Sequence, residues 1–185
     1  MKIKALVAQA FVFFFLIKGI HALSSEGNSF IQYKEPFVQI SDPHRQAEVW
    51  ATCHVAYEVF SRLAAKAEPA QSQQFHQFAN GAKVAIIMTY IRDAMGDMDP
   101  KTPEASTNRF NAAIEFGKLA AESLPETKAT SLMAILDSGN ESQKTKWYAD
   151  IGATINHCVG NLEGQQVLID LWRDLATSGL LKQTK

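Results

Sequence analysis

The chain has 185 residues and only two cysteines, Cys53 and Cys158. It contains no C-x-x-C and no H-x-x-x-H, so the paired ligands of the common zinc modules are missing, and a c-type haem would need a second cysteine before Cys53-His54. No block of Lys and Arg is dense enough to neutralise a row of phosphates, which argues against nucleic acid and anionic membrane surfaces as partners. The longest apolar stretch, Ala5 to Ile17 with Gln9 as its one polar residue, is about 13 residues, short of the roughly 20 that cross a bilayer. Catalytic signatures are equally scarce: there is no G-x-S-x-G, no H-E-x-x-H, no paired Glu-x-x-His and no glycine-rich phosphate loop. Internal repeats and low-complexity tracts are absent too.

What is present begins with the amino terminus. Lys2 and Lys4, then the apolar run, then "IHA" ending in a small residue form the three parts of a secretory signal peptide, with cleavage expected between Ala22 and Leu23. Lys18 closes the apolar run and works against a stable membrane anchor. The whole chain carries 18 basic and 19 acidic side chains; loss of Lys2, Lys4 and Lys18 with the leader leaves 15 against 19, a net of −4. The mature chain is of single-domain size and large enough to bury a core of its own. The expected organisation is a leader over 1–22, an N-terminal arm over 23–40 and a helical domain over 41–185, in a periplasmic or secreted protein.

From residue 41 onward the apolar spacing is helical. Ser41-Asp42-Pro43 offers a cap and a proline suited to a first turn, and Val49, Trp50, Cys53, Ala56, Tyr57, Phe60, Leu63, Ala64 and Ala67 follow at three- and four-residue steps until Glu68-Pro69 ends the helix. A second helix runs from about Pro69 to Ala94, and Asn80-Gly81 inside it reads as a small-residue patch for a close helix crossing. "DMDPKTP" (97–103) is a linker. Phe110 to Leu124 marks a third helix, and Leu132, Met133, Ile135 and Leu136 a short fourth one after a break at Pro125. Trp147, Tyr148, Ile151, Ile155 and Cys158 define a fifth, and Val167, Leu168, Leu171, Trp172 and Leu175 a sixth. The fold class is an all-α, single-domain bundle of five or six helices. Before it, Phe30, Ile31, Tyr33, Phe37, Val38 and Ile40 make an extended arm.

Both cysteines fall on inward stripes, their number is even, and an exported chain meets an oxidising compartment, so a Cys53–Cys158 disulfide is expected rather than two separate buried thiols. A metal site from Cys53, His54, His157 and Cys158 is disfavoured because helical neighbours point about 100° apart, which turns each histidine away from an inward cysteine. The acidic cluster Asp93, Asp97, Asp99 and Glu104 lacks the calcium-loop pattern and reads as a solvated turn. His44 and His76 read as surface histidines. Asn140-Glu141-Ser142 fits a glycosylation triplet, relevant only in a eukaryotic secretory pathway. No catalytic, cofactor-binding or metal-ligating residue is assigned.

In general build, a leader followed by helices and two cysteines, the chain resembles the small exported helical proteins that bacteria and their phages use as inhibitors or immunity factors. That resemblance implies binding to another protein and carries no residue with it. Phe30, Tyr33 and Phe37 are the candidate partner contacts on the arm; the competing reading is that the arm simply covers the bundle. A periplasmic carrier of a small ligand or cofactor, held between facing helices, is the alternative function, with Met88, Met95, Met98 and Met133 available to line a pocket. A cell-wall hydrolase stands behind it.

Overall fold

The computed structural model describes residues 27–96 and 101–182. Among these, the chain forms α1 (Pro43–Ala64), α2 (Pro69–Gly96), α3 (Pro103–Ser138), α4 (Glu141–Val159) and α5 (Leu162–Thr177), with short 3-10 turns at Phe37–Gln39 and Leu180–Lys182 and no strand. The architecture is the expected all-α bundle.

Local chemistry sets the helix ends. Asp42 caps α1, its carboxylate accepting from the N–H groups of His44 (2.9 Å) and Arg45 (3.2 Å), with Pro43 in the first turn. Asn140 and Gln143 form a reciprocal capping box at the start of α4. The first two helices form the centre of the bundle, and α2 packs on α1, α3 and α5. The first helix packs most extensively on α2 and also on α3 and α4, and it buries Val49, Trp50, Cys53, Ala56 and Tyr57.

The main departure from expectation lies in α3, one helix of 36 residues that runs through Pro125. An interior proline removes a backbone donor and costs about 3 kcal/mol or more. Pro125 nevertheless sits on the same buried stripe as Phe110, Ile114, Ala121 and Leu132, so the apolar period continues in phase across it. Packing of that stripe outweighs the local break, which is why five helices form rather than six. The Asn80-Gly81 pair, by contrast, does what its small size suggests. A Cβ at Gly81 would collide with the amide of Gln165 on α5, and one at Gly117 would lie 3.1 Å from the Ile87 backbone, so glycine permits both crossings.

Candidate functional site

The disulfide joins Cys53 of α1 to Cys158 of α4 with a Cα–Cα distance of 5.6 Å, and both residues are fully buried. It holds the carboxyl half of α4 against the middle of α1. The flank of α4 beside it carries the buried Asp150 and Thr154 and the half-buried His157, one helical turn apart, and Asn161 follows at the start of α5.

The arm lies along that polar row, parallel to α4. The backbone N–H groups of Asn28, Phe30 and Phe37 donate to Asp150 Oδ1 (2.8 Å), Thr154 Oγ1 (2.9 Å) and Asn161 Oδ1 (2.9 Å). Lys146 holds the other oxygen of Asp150 at 2.6 Å, and Asn161 donates in turn to the His157 carbonyl (3.0 Å). From α1, the buried Gln46 donates to the Phe37 carbonyl and accepts from Arg92 at 2.8 Å. Side chains thus satisfy an extended segment that no neighbouring strand pairs.

The arm packs on the bundle, and Phe37, one of the three candidate partner contacts, is buried beneath it. It is 0% exposed, with its ring edge-on to Trp50 at 5.1 Å and 5.1 Å from the ring of His157. Ile31 and Ile40 are buried with it, while Phe30 and Tyr33 are half-buried against the core. Burial pushes the pKa of His157 down, against the backbone groups of Ile31 and Tyr33, which favour the charged ring. The expected cleavage pair Ala22–Leu23 lies outside the described residues, as do Met98, Asp97 and Asp99.

Besides a more polar hollow of about 610 Å³ between the arm and the α4–α5 junction, a concave surface lies on the other flank, between α1, α3 and α4. It is a groove of about 400 Å³. Val55 and Val59 of α1, Pro125 and Leu136 of α3, and Trp147 of α4 give it an apolar lining, and Trp147 is fixed by donation from its ring N–H to the Leu132 carbonyl at 2.8 Å. Three large side chains that the stripes assign to the interior stand at its mouth instead: Leu63 (57% exposed), Tyr148 (42%) and Met133 (36%). Arg62, Lys83, Glu122 and Glu126 supply charges of both signs around them. Of the methionines proposed as pocket lining, Met133 is there, whereas Met88 is buried in the core and Met95 is exposed.

His54 contributes the polar element of this wall. Its Nδ1 lies 2.9 Å from the carbonyl oxygen of Ala79 on α2. A carbonyl only accepts, so Nδ1 carries the proton and Nε2 is left as a lone-pair acceptor. Burial is the largest influence on the ring and lowers its pKa; the Ala79 bond opposes this, Lys83 adds to it, and Glu58 opposes it. At neutral pH His54 is therefore uncharged. Glu58, one turn on, is engaged elsewhere: Oε1 lies 2.8 Å from Nδ1 of His76, and Oε2 is 4.0 Å from Arg62. His44 likewise has a partner, the Tyr90 hydroxyl at 3.3 Å.

The structure therefore splits the two Cys-His pairs. Both cysteines turn into the bridge, His54 turns to the groove and His157 to the arm, and among the described residues no group of three or more metal-ligating side chains converges. Among the same residues no helix is long and apolar enough to cross a membrane. Asn140 is exposed, with its side chain used as the α4 cap. Three buried polar atoms, Trp50 Nε1, Tyr57 Oη and Gln165 Oε1, have no hydrogen-bond partner among the described residues. Comparison of the chain with protein-family models, characterised proteins and solved structures returns no match.

Proposed function

We propose that this is an exported protein that binds another protein through the groove between α1, α3 and α4, and that it inhibits or neutralises that partner. The observation that carries the reading is the placement of Leu63, Met133 and Tyr148, exposed around one concavity with an apolar lining and a charged border. An apolar centre with a polar rim is the anatomy of a protein interface, whereas isolated exposed apolar residues need no explanation. The Cys53–Cys158 bond and the leader-like amino terminus support an oxidising, extracytoplasmic setting. The test is site-specific photo-cross-linking in the exporting cell, with the reactive side chain at Leu63 or Tyr148 and a control at Arg173 on α5. A discrete adduct from the groove positions alone, abolished by Met133→Glu, is expected; adducts from Arg173 but not from the groove would sink the reading.

A second reading, a carrier of a small apolar ligand, is favoured by the groove's volume, which falls in the range of small-molecule sites. Ligand retained through purification of the exported protein and released on denaturation would identify it.

A further inference from the structure

Phe37 ties two helices together across a seam. Its N–H donates to Asn161 at the α4–α5 junction (2.9 Å) and its carbonyl accepts from Gln46 of α1, while its ring lies 5.1 Å from both Trp50 of α1 and His157 of α4. The Cys53–Cys158 bond crosses the same seam, with Cys53 one turn beyond Trp50 and Cys158 directly after His157. Toward its amino end the arm bonds to α4. Asn28 and Phe30 donate to Asp150 and Thr154, and Ser29 Oγ lies 3.3 Å from His157 Nδ1. A Cβ at Gly27 would collide with the Ala149 carbonyl oxygen, so glycine is what lets the arm start this close to the helix.

One seam is therefore spanned by two ties, the first covalent and the second built from hydrogen bonds and a ring. Hydrogen bonds weaken steeply with distance and angle, so if α4 shifts from α1, Phe37 loses its partner on one side or the other. Both half-cystines are fully buried, so a thiolate reaches them only when their cover opens. We propose that the Cys53–Cys158 bond is the latch of the arm: reduction by a dithiol frees the arm from the seam between α1 and α4, and the docked arm in turn keeps the bond oxidised. A thiolate of the dithiol attacks one sulfur and the other cysteine leaves as thiolate; the second thiol of the reductant then displaces the first cysteine, so two electrons and two protons pass to Cys53 and Cys158 and the reductant leaves as a disulfide. Release uncovers Ile31 and Phe37, which the oxidised protein keeps buried. The two halves of the proposal are one coupling, because linkage between two equilibria is reciprocal.

The test follows hydrogen exchange of the Asn28, Phe30 and Phe37 amides by NMR in the intact mature protein, first oxidised and then reduced with dithiothreitol. Reduction should lower their protection roughly 5- to 150-fold, the span of coupling between two sites, and leave the amides of Ala82 and Ile86 in α2 as they were. In the reciprocal measurement, the ratio of reduced to oxidised dithiothreitol that half-reduces the protein should fall by a like factor in Gly27→Ala and in Asn161→Ala. It should not fall in Ile114→Ala, which weakens the buried face of α3 in both redox forms alike, so that its effect cancels. Arm amides as well protected after reduction as before overturn the proposal. Loss of protection in α2 together with the arm also overturns it, as does an Ile114→Ala ratio lowered as far as that of Asn161→Ala, since either makes the bond a tie of the whole fold. Gly27→Ala removes no hydrogen bond and no buried side chain, so it decides the matter even where Asn161→Ala fails to fold; an unchanged ratio in Gly27→Ala overturns the coupling.

Discussion

If the arm is cover, Phe37→Ala should be among the most damaging single substitutions outside the helices. Its side chain is fully buried and packs edge-on against Trp50. Truncating a buried phenylalanine to alanine costs about 3 to 5 kcal/mol, because the lost transfer energy is joined by the cavity left behind; the ring pair alone accounts for about 0.5 to 1.5 kcal/mol of that. For a chain of this size, 1 kcal/mol corresponds to about 2 to 4 °C, so the thermal midpoint should fall by roughly 6 to 20 °C. Asn161→Ala tests the same lock through its polar half. It removes the acceptor of the Phe37 N–H and strands a buried donor, at about 1 to 3 kcal/mol. Urea denaturation followed by tryptophan fluorescence reads both, since Trp50 lies beneath the ring. A Phe37→Ala protein within about 1 kcal/mol of the parent, yet unable to form the cross-linked complex, would refute the argument and restore Phe37 as a contact.

Three further outcomes follow from the buried chemistry. Unreduced protein should show no free thiol when denatured, and reduction should remove about 3 to 5 kcal/mol, because the bond closes a loop with a sequence separation of 105; two titratable thiols would contradict it. Tyr57→Phe should stabilise the fold by on the order of 1 kcal/mol, since it deletes a buried hydroxyl without a partner; a denaturation midpoint lowered by that amount would show that the hydroxyl is satisfied. Stability should also fall on acidification. Burial lowers the pKa of both His54 and His157, so the unfolded chain binds more protons than the folded one as pH drops through about 6.5, and the stability present above that value drains until the lowered folded values are passed. Urea midpoints measured from about pH 7.5 to 5.5 check the sign, and a midpoint that rises with acid would be the wrong one.

The legible part of this molecule was the part governed by period and parity. Cys53 and Cys158 sit on stripes that also carry Trp50 and Trp147, and an even pair on inward faces of two helices has one partner each to find. Pro125 misleads because the local rule that proline ends a helix takes no account of the apolar stripe on both sides of it. From Phe110 through Ala121 to Leu132 the phase holds, and the summed burial of those side chains exceeds one missing hydrogen bond.

The groove was illegible for a different reason. A helical stripe says that Leu63, Tyr148 and Met133 are on the apolar side of their helices, but not whether another helix arrives to cover them. At this flank α1, α3 and α4 diverge, so the same pattern that builds the core elsewhere leaves apolar surface open here. The turn of His54 away from the bridge did follow from the geometry of neighbours on a helix. Its protonation state did not, because the group that fixes it is the carbonyl of Ala79, 25 residues away on another helix. A backbone oxygen has no signature in sequence, yet it decides which ring nitrogen of His54 keeps a lone pair.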